Sequence, residues 1–280
     1  MQFIMFSKML GVYPIGKAGD IIAELGFAGV DLTVRPGGHV LPENVRTDLP
    51  KAVRTLAERN LAVPMITTAI TDASEPHAED IFATAWECGI RRLKLGYWTY
   101  RGFGTIHTQL DEMRRQLEAI AKLGQRYNVL PAVHIHSGDY LSANPATLYD
   151  LLRGFEPKEL GAYIDPGHMT AEGGISCWRQ GIDLLQKYIS MVAVKSFGWF
   201  KETDESTGEA VWHAKLVPLK EGTVRWRQVF QCLKQIGFDG PVSVHSEYQG
   251  SHSWRDLTTE ELIEQTREDL QYLKEVSASA

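Results

Sequence analysis

Residues 129–136 read Val129-Leu130-Pro131-Ala132-Val133-His134-Ile135-His136, a short run that is apolar until it ends in two histidines spaced by two. Its length favours a strand over a helix. A run apolar on both faces suits the interior of a parallel sheet. The same pattern recurs on either side of it. Residues 2–9, 29–34, 62–69 and 92–96 precede it, and residues 161–165, 191–195 and 242–247 follow.

Stretches of helical periodicity lie between these runs. Leu49, Val53, Leu56 and Ala57 mark an apolar stripe within residues 48–60, and Leu110, Met113, Leu117, Ile120, Ala121 and Tyr127 mark another within 108–128. Leu148, Leu151, Leu152 and Phe155 follow Pro145, which suits a first helical turn. Val229, Phe230, Leu233 and Ile236 form a further stripe closed by Gly237, and Thr258 with Glu261 has capping-box spacing ahead of the last helix. Eight strands alternating with about eight helices over 280 residues predict an α/β fold, a single-domain (β/α)8 TIM barrel. A doubly wound open sheet would want a glycine-rich phosphate turn, and neither GxGxxG nor GxxxxGK[ST] is present. No Pro/Ser/Gly-rich linker divides the chain, so one domain spanning 1–280 is expected.

Composition narrows the class. With 44% hydrophobic and 23% charged residues the chain reads as an ordinary globular protein. A net charge of −6 lacks the basic footprint that non-specific nucleic-acid binding requires, so no nucleic-acid partner is expected. Cys88, Cys177 and Cys232 are too few and too far apart for a disulfide framework or a CxxC knuckle. The first residues lack a basic n-region, and no apolar stretch is long enough to span a bilayer. A cytoplasmic protein with no membrane partner is the expectation.

The nine histidines are the unusual feature. With the predicted register, all of them fall at C-terminal strand ends or in the connections that follow, the face that carries chemistry in barrel enzymes. Side chains two apart on a strand share a face. His134 with His136, Ala193 with Lys195, and His245 with Glu247 therefore point together, and Asp165 ends the strand between the first two pairs. Imidazole and carboxylate groups meeting at a barrel mouth can bind Mn, Zn, Fe or Co. A lysine there, near a cation and partly desolvated, is expected to have a lowered pKa and to act as acid or base. Lys8, Arg35, His39 and His168 lie at or just beyond strand ends as substrate-binding candidates. Trp199 joins them, because flat aromatic faces suit the C–H surfaces of sugar rings.

Several stretches carry a family likeness. They are Glu24-Leu25-Gly26-Phe27-Ala28-Gly29-Val30-Asp31, His134-Ile135-His136-Ser137-Gly138, Asp165-Pro166-Gly167-His168, Val217-Pro218-Leu219-Lys220-Glu221-Gly222 and Gly237-Phe238-Asp239-Gly240. Over nearly its whole length the chain resembles the xylose-isomerase-like TIM barrels of the sugar phosphate isomerase/epimerase superfamily, which also holds apurinic endonucleases. Residues 32–39 and 192–195 look like a less characterised bacterial branch. Epimerases of this superfamily hold a divalent metal with Glu, Asp, His and Glu, one from each of strands five to eight. Aligned on the motifs, those positions fall on His134, Asp165, Ala193 and His245, so only the aspartate matches.

With those departures, the resemblance implies a divalent ion (Mn, Zn, Fe, Co or Mg) on His134, Asp165 and His245. Two other arrangements stay open: His136, Asp165 and Glu247 nearer the mouth, or a metal-free site run by Lys195 and the histidines. The expected activity is that of a sugar isomerase or epimerase, taking a proton from carbon beside the carbonyl of a non-phosphorylated sugar or keto-sugar. Lys195, His136 and Glu247 are the catalytic candidates. A lyase or dehydratase on a keto-sugar, an endonuclease-type phosphodiesterase and a non-catalytic sugar-binding barrel are the alternatives. The expected partner is a small carbohydrate, with a homo-oligomer completing the aromatic mouth.

Overall fold

The computed structural model describes all 280 residues. In chain order the first half contains β1 (Gln2–Phe6), α1 (Ile15–Leu25), β2 (Gly29–Thr33), α2 (Val45–Ala57), β3 (Ala62–Thr67), α3 (Ala78–Glu87), β4 (Arg92–Lys94), α4 (Ile106–Tyr127) and β5 (Leu130–His134). The second half contains α5 (Pro145–Leu152), β6 (Gly161–Ile164), α6 (Pro166–Gly173), α7 (Cys177–Leu185), β7 (Ile189–Val194), β8 (Ser196–Thr203), β9 (Ala210–Val217), α8 (Trp226–Gln235), β10 (Pro241–Val244) and α9 (Thr259–Ala278). Eight strands close into a barrel in the order β1-β10-β7-β6-β5-β4-β3-β2. The expected single (β/α)8 barrel is what the chain forms.

The pleat sorts each strand into two faces. Outward residues such as Val30, Leu93, Val133, Ile164 and Val192 join the helices in one continuous apolar layer. Inward residues form a small separate cluster, Ile4, Met65, Ala132, Tyr163, Met191 and Ala193, which fills the barrel's floor. Two residues further along, the same inward rows deliver Phe6, Thr67, His134, Asp165 and Lys195 to the C-terminal mouth. Pairing of Thr67 with Lys94 and of Lys94 with Ala132 puts Lys94 on the inward side as well.

Helix termini follow the sequence signals. Asn144 caps α5 by accepting the Thr147 N–H at 2.9 Å, with Pro145 in the first turn. Thr258 and Glu261 form the reciprocal capping box of α9. On that helix, buried Asp269 accepts the Leu219 N–H at 3.0 Å and the Tyr248 hydroxyl. This ties α9 to the loops behind the mouth.

One expectation needs correction. Most strands are shorter than the apolar runs: β5 stops at His134 and β10 at Val244, so His136, His245 and Glu247 lie just past the ladder. The residue rows continue nonetheless, since the His245 N–H donates to the Val194 carbonyl at 3.0 Å. The long segment after the seventh strand is an antiparallel hairpin, β8 on β9. Its outer half is exposed on both faces, so it has no apolar alternation to betray it. It carries His213, which sits beside Glu202 at 3.5 Å, away from the mouth.

Asp269→Ala strands the buried Leu219 N–H and Tyr248 hydroxyl. A loss of about 2 kcal/mol in urea unfolding is expected, against almost none for a surface carboxylate such as Glu264→Ala.

Candidate active site

The Asp165-Pro166-Gly167-His168 turn builds the centre of the mouth. Asp165 is the N-cap of α6: its Oδ1 accepts the His168 N–H at 3.0 Å, and Pro166 starts the helix. Oδ2 is left facing the barrel axis. Gly167 is required by close approach, because a Cβ there would stand 2.6 Å from the Lys195 carbonyl oxygen. The turn thus brings Asp165, His168 and Lys195 together.

Lys195 is buried, with Nζ 2.6 Å from Glu247 Oε2 and 3.7 Å from Asp165 Oδ2. Glu247 Oε1 accepts from Lys8 Nζ at 2.8 Å. Burial opposes the charge on Lys195, but the Glu247 and Asp165 carboxylates more than offset it and hold the ammonium above the ordinary lysine range. The lowered pKa expected from sequence is reversed, because the Glu247 and Asp165 carboxylates face the amine directly. Burial likewise works against ionised Glu247, and Lys195 with Lys8 outweighs it, so the carboxyl sits well below its usual range.

Four imidazoles surround this cluster. His134 Nδ1 pairs with the Tyr97 hydroxyl at 3.0 Å, and its ring stacks on Tyr163. His245 Nε2 pairs with the Tyr163 hydroxyl at 2.9 Å, and its ring stacks on Phe6. His168 Nδ1 meets Ser137 Oγ at 2.7 Å. His136 lies over His168, with Nδ1 2.8 Å from the Ser137 carbonyl oxygen. A carbonyl only accepts, so Nδ1 of His136 carries the proton and Nε2 keeps its lone pair. Burial depresses all four pKa values, that of His136 to about 4.

One layer deeper lies a network that the motifs did not reveal. Asp31 is fully buried and accepts from Thr67 Oγ1 at 2.7 Å and Ser243 Oγ at 2.9 Å, with the Tyr163 hydroxyl at 3.4 Å. Burial raises its pKa to about 6 despite those donors. The available signal was one carboxylate in the middle of the buried strand Gly29-Val30-Asp31-Leu32-Thr33. Lys94 was also not singled out as a site residue of the fourth strand. The period-two rule that selected His134 and Lys195 places Lys94 on the same inward face.

The expected metal ligands share the mouth without forming a cage. Asp165 Oδ2 lies 3.6 Å from His134 Nε2 and 3.7 Å from His168 Nε2, and all three atoms lack a hydrogen-bond partner within the protein. His245 Nε2 is engaged by Tyr163, Glu247 is paired with two lysines, and the seventh strand offers Ala193. No three His, Cys, Asp or Glu side chains are arranged to hold an ion. The Lys195 ammonium already stands against the carboxylates that a divalent ion would need. The residues present do not fit the divalent metal implied by the resemblance, on either His134, Asp165 and His245 or His136, Asp165 and Glu247.

The substrate-binding candidates divide. Lys8 and Arg35 line the same narrow cleft as His136, Lys195 and Glu247. His168 lies behind it against Asp165. His39 is folded back on Thr33, with its N–H 2.9 Å from Oγ1. Trp199 projects from the hairpin, 45% exposed. Neither His39 nor Trp199 lines the cleft.

The family model for the xylose isomerase-like TIM barrel matches residues 20–276. The chain belongs to that family. Among solved structures, this xylose isomerase-like barrel is similar to the D-psicose 3-epimerase of Clostridium cellulolyticum H10, with TM-score 0.72, 13% identity and 99% of each chain covered. It is also similar to the 3-keto-D-glucoside 4-epimerase of E. coli, with TM-score 0.72, 14% identity and coverage of 98% of this chain and 99% of that one. A third likeness is to the probable 3-DHS dehydratase AsbF of Bacillus anthracis, with TM-score 0.70, 14% identity and coverage of 97% and 99%. Identities this low speak for the shared barrel alone. No curated protein matches the sequence, and no helix is long and apolar enough to cross a membrane.

The depressed imidazoles couple folding to pH. Above pH 6.5, the ordinary histidine value, both folded and unfolded chains keep these rings neutral. Below it the unfolded chain takes up protons that the barrel refuses, so stability falls as pH drops, for His136 until about 4. Asp31 and Asp269, raised to about 6 from 3.8, act in the opposite direction between those values. Four imidazoles outweigh two carboxyls. Tm is expected to fall steadily from pH 7 to pH 5 in thermal scans, and His134→Gln should flatten that slope. A Tm that rises over this range would contradict the burial of neutral imidazoles.

Proposed function

We infer that the chain is an enzyme that removes a proton from carbon adjacent to the carbonyl of a small, non-phosphorylated sugar or keto-sugar. The reading rests on one observation: a neutral imidazole and a buried ammonium share a single narrow cleft. His136 is the base, since its Nδ1–H is fixed by the Ser137 carbonyl and its Nε2 is free to accept. Lys195 is the cation that steadies negative charge developing on the substrate oxygen and returns a proton. Glu247 does not take the proton; it holds Lys195 and Lys8 in place, and its depressed pKa makes it a poor base. The unpartnered Nε2 of His134 meets a substrate hydroxyl at the cleft wall, with Asp165 and His168 behind it, while Lys8 and Arg35 meet further hydroxyls at the rim.

In an epimerase or isomerase the proton returns to carbon. A dehydratase is the second reading, favoured by the chemical difference between the two groups. An imidazole can take the α-proton while the ammonium protonates a departing β-hydroxyl. Two-glutamate epimerase chemistry has no counterpart, because both glutamate positions hold histidines already paired with tyrosines.

Proton NMR in D2O with EDTA present, over a panel of ketoses and 3-keto-glucosides, tests the proposal. Loss of the signal of the C–H beside the carbonyl is expected, with an epimer or a dehydrated product following. His136→Gln should slow it by about a hundredfold or more. Undiminished exchange in that variant, or exchange that appears only with added metal, would overturn the assignment.

A further inference from the structure

Lys94 is the one charged-type side chain of the cleft that the proposed proton transfer leaves unused. It stands at the C-terminal end of β4, almost fully buried, and it lines the same narrow cleft as His136 and Lys195. Its Nζ lies 3.5 Å from the centre of the Tyr97 ring. Unlike Lys195, it has no carboxylate partner. The acidic groups of the mouth are held elsewhere: Asp31 by Thr67 and Ser243, Asp165 beside Lys195 and the two histidines, Glu247 by Lys195 and Lys8.

Charge counting points the same way. Asp31, Asp165 and Glu247 bring three negative charges to the mouth when ionised, and Lys8, Arg35 and Lys195 bring three positive ones. A fourth cation at Lys94 would be buried with only the face of the Tyr97 ring against it, a state that burial strongly disfavours. A buried lysine sheds its proton instead.

We propose that Lys94 is a catalytic nucleophile that forms an imine with the substrate carbonyl, so that an iminium nitrogen withdraws the electrons that Lys195 would otherwise steady on the carbonyl oxygen. The proposal rests on the keto-sugar reading above and deepens it. Burial, with Arg35 and Lys195 nearby, holds the Lys94 amine well below the ordinary lysine range. A desolvated amine beside other cations is the arrangement that activates lysine toward carbonyls.

The step balances as a condensation. The Nζ lone pair forms a bond to the carbonyl carbon, and the carbonyl oxygen leaves as water with both amine hydrogens. A solvent proton converts the resulting imine to an iminium. That cation draws the electrons of the adjacent C–H bond into an enamine as His136 Nε2 takes the proton. Return of a proton to carbon gives the epimer, whereas loss of a β-hydroxyl as water gives the dehydrated product. Hydrolysis then releases the carbonyl compound and restores the amine.

The test is borohydride trapping of the full-length wild-type protein, with EDTA, using ketoses that show α-proton exchange and D-fructose and D-tagatose in every case. Peptide mass mapping is expected to find the reduced ketose on Lys94 and on no other lysine. Lys94→Met, which keeps the length and the uncharged state but cannot form an imine, should lose the adduct and about a thousandfold of turnover. Should that variant fail to fold, the wild-type protein carries the test through its carbon-13 dimethyl-lysine NMR titration, in which Lys94 should titrate below all other lysines. Exchange without a Lys94 adduct would overturn the imine and leave the keto-sugar reading standing. Absence of both would overturn the two together. An adduct on Lys195, or a Lys94 resonance titrating with the surface lysines, would also refute the proposal.

Discussion

Carboxylates placed inside a barrel mouth have to be neutralised by something in the same low-dielectric space, and here that is the Lys195 ammonium. It stands between Asp165 and Glu247, and the rest of the site is arranged around this contact. Gly167 lets α6 approach the Lys195 backbone, and Asp165 spends one oxygen capping that helix so that only the other faces inward. Lys8 reaches from the end of β1 to the second oxygen of Glu247. Removing one member of such a buried set exposes the remaining charges to the full desolvation cost. The cluster therefore behaves as a unit.

Beneath that cluster the barrel changes character in layers. An apolar floor runs from Ile4 through Met65 to Met191 and Ala193. Above it Asp31, Thr67, Ser243 and Tyr163 form a hydrogen-bonded network. Tyr163 links that network to His245, and Tyr97 ties His134 to the outer wall. Buried polar groups with fixed partners resist reorientation. Such a support holds the unpaired groups of Asp165, His134, His168 and Lys94 in preset positions.

The barrel was legible because its signals are local: short apolar runs, helical stripes, the cap at Thr258. The inward direction of His134, Asp165, Lys195 and His245 was legible too, since a period of two needs no knowledge of partners. Pairing was not. Sequence alone does not say that the Tyr163 hydroxyl meets His245, or that Lys195 meets two carboxylates instead of a metal. Its expected pKa shift consequently had the wrong sign. Lys94 and Asp31 escaped notice because each shares a short strand with another ordinary polar residue, Arg92 and Thr33, without the paired imidazoles that drew attention elsewhere. The β8–β9 hairpin was missed because a solvent-exposed ribbon has no buried face to imprint an alternation.

A lysine, not a divalent ion, is expected to supply the positive charge at Asp165. A crystal structure of the wild-type protein grown with Mn²⁺ and a ketose, with data collected at the manganese edge, examines it directly. No anomalous peak is expected within bonding distance of Asp165, and Lys195 Nζ should be resolved between Asp165 and Glu247. An anomalous peak bound to Asp165 with His134, His168 or His245, and Lys195 displaced from it, would contradict it.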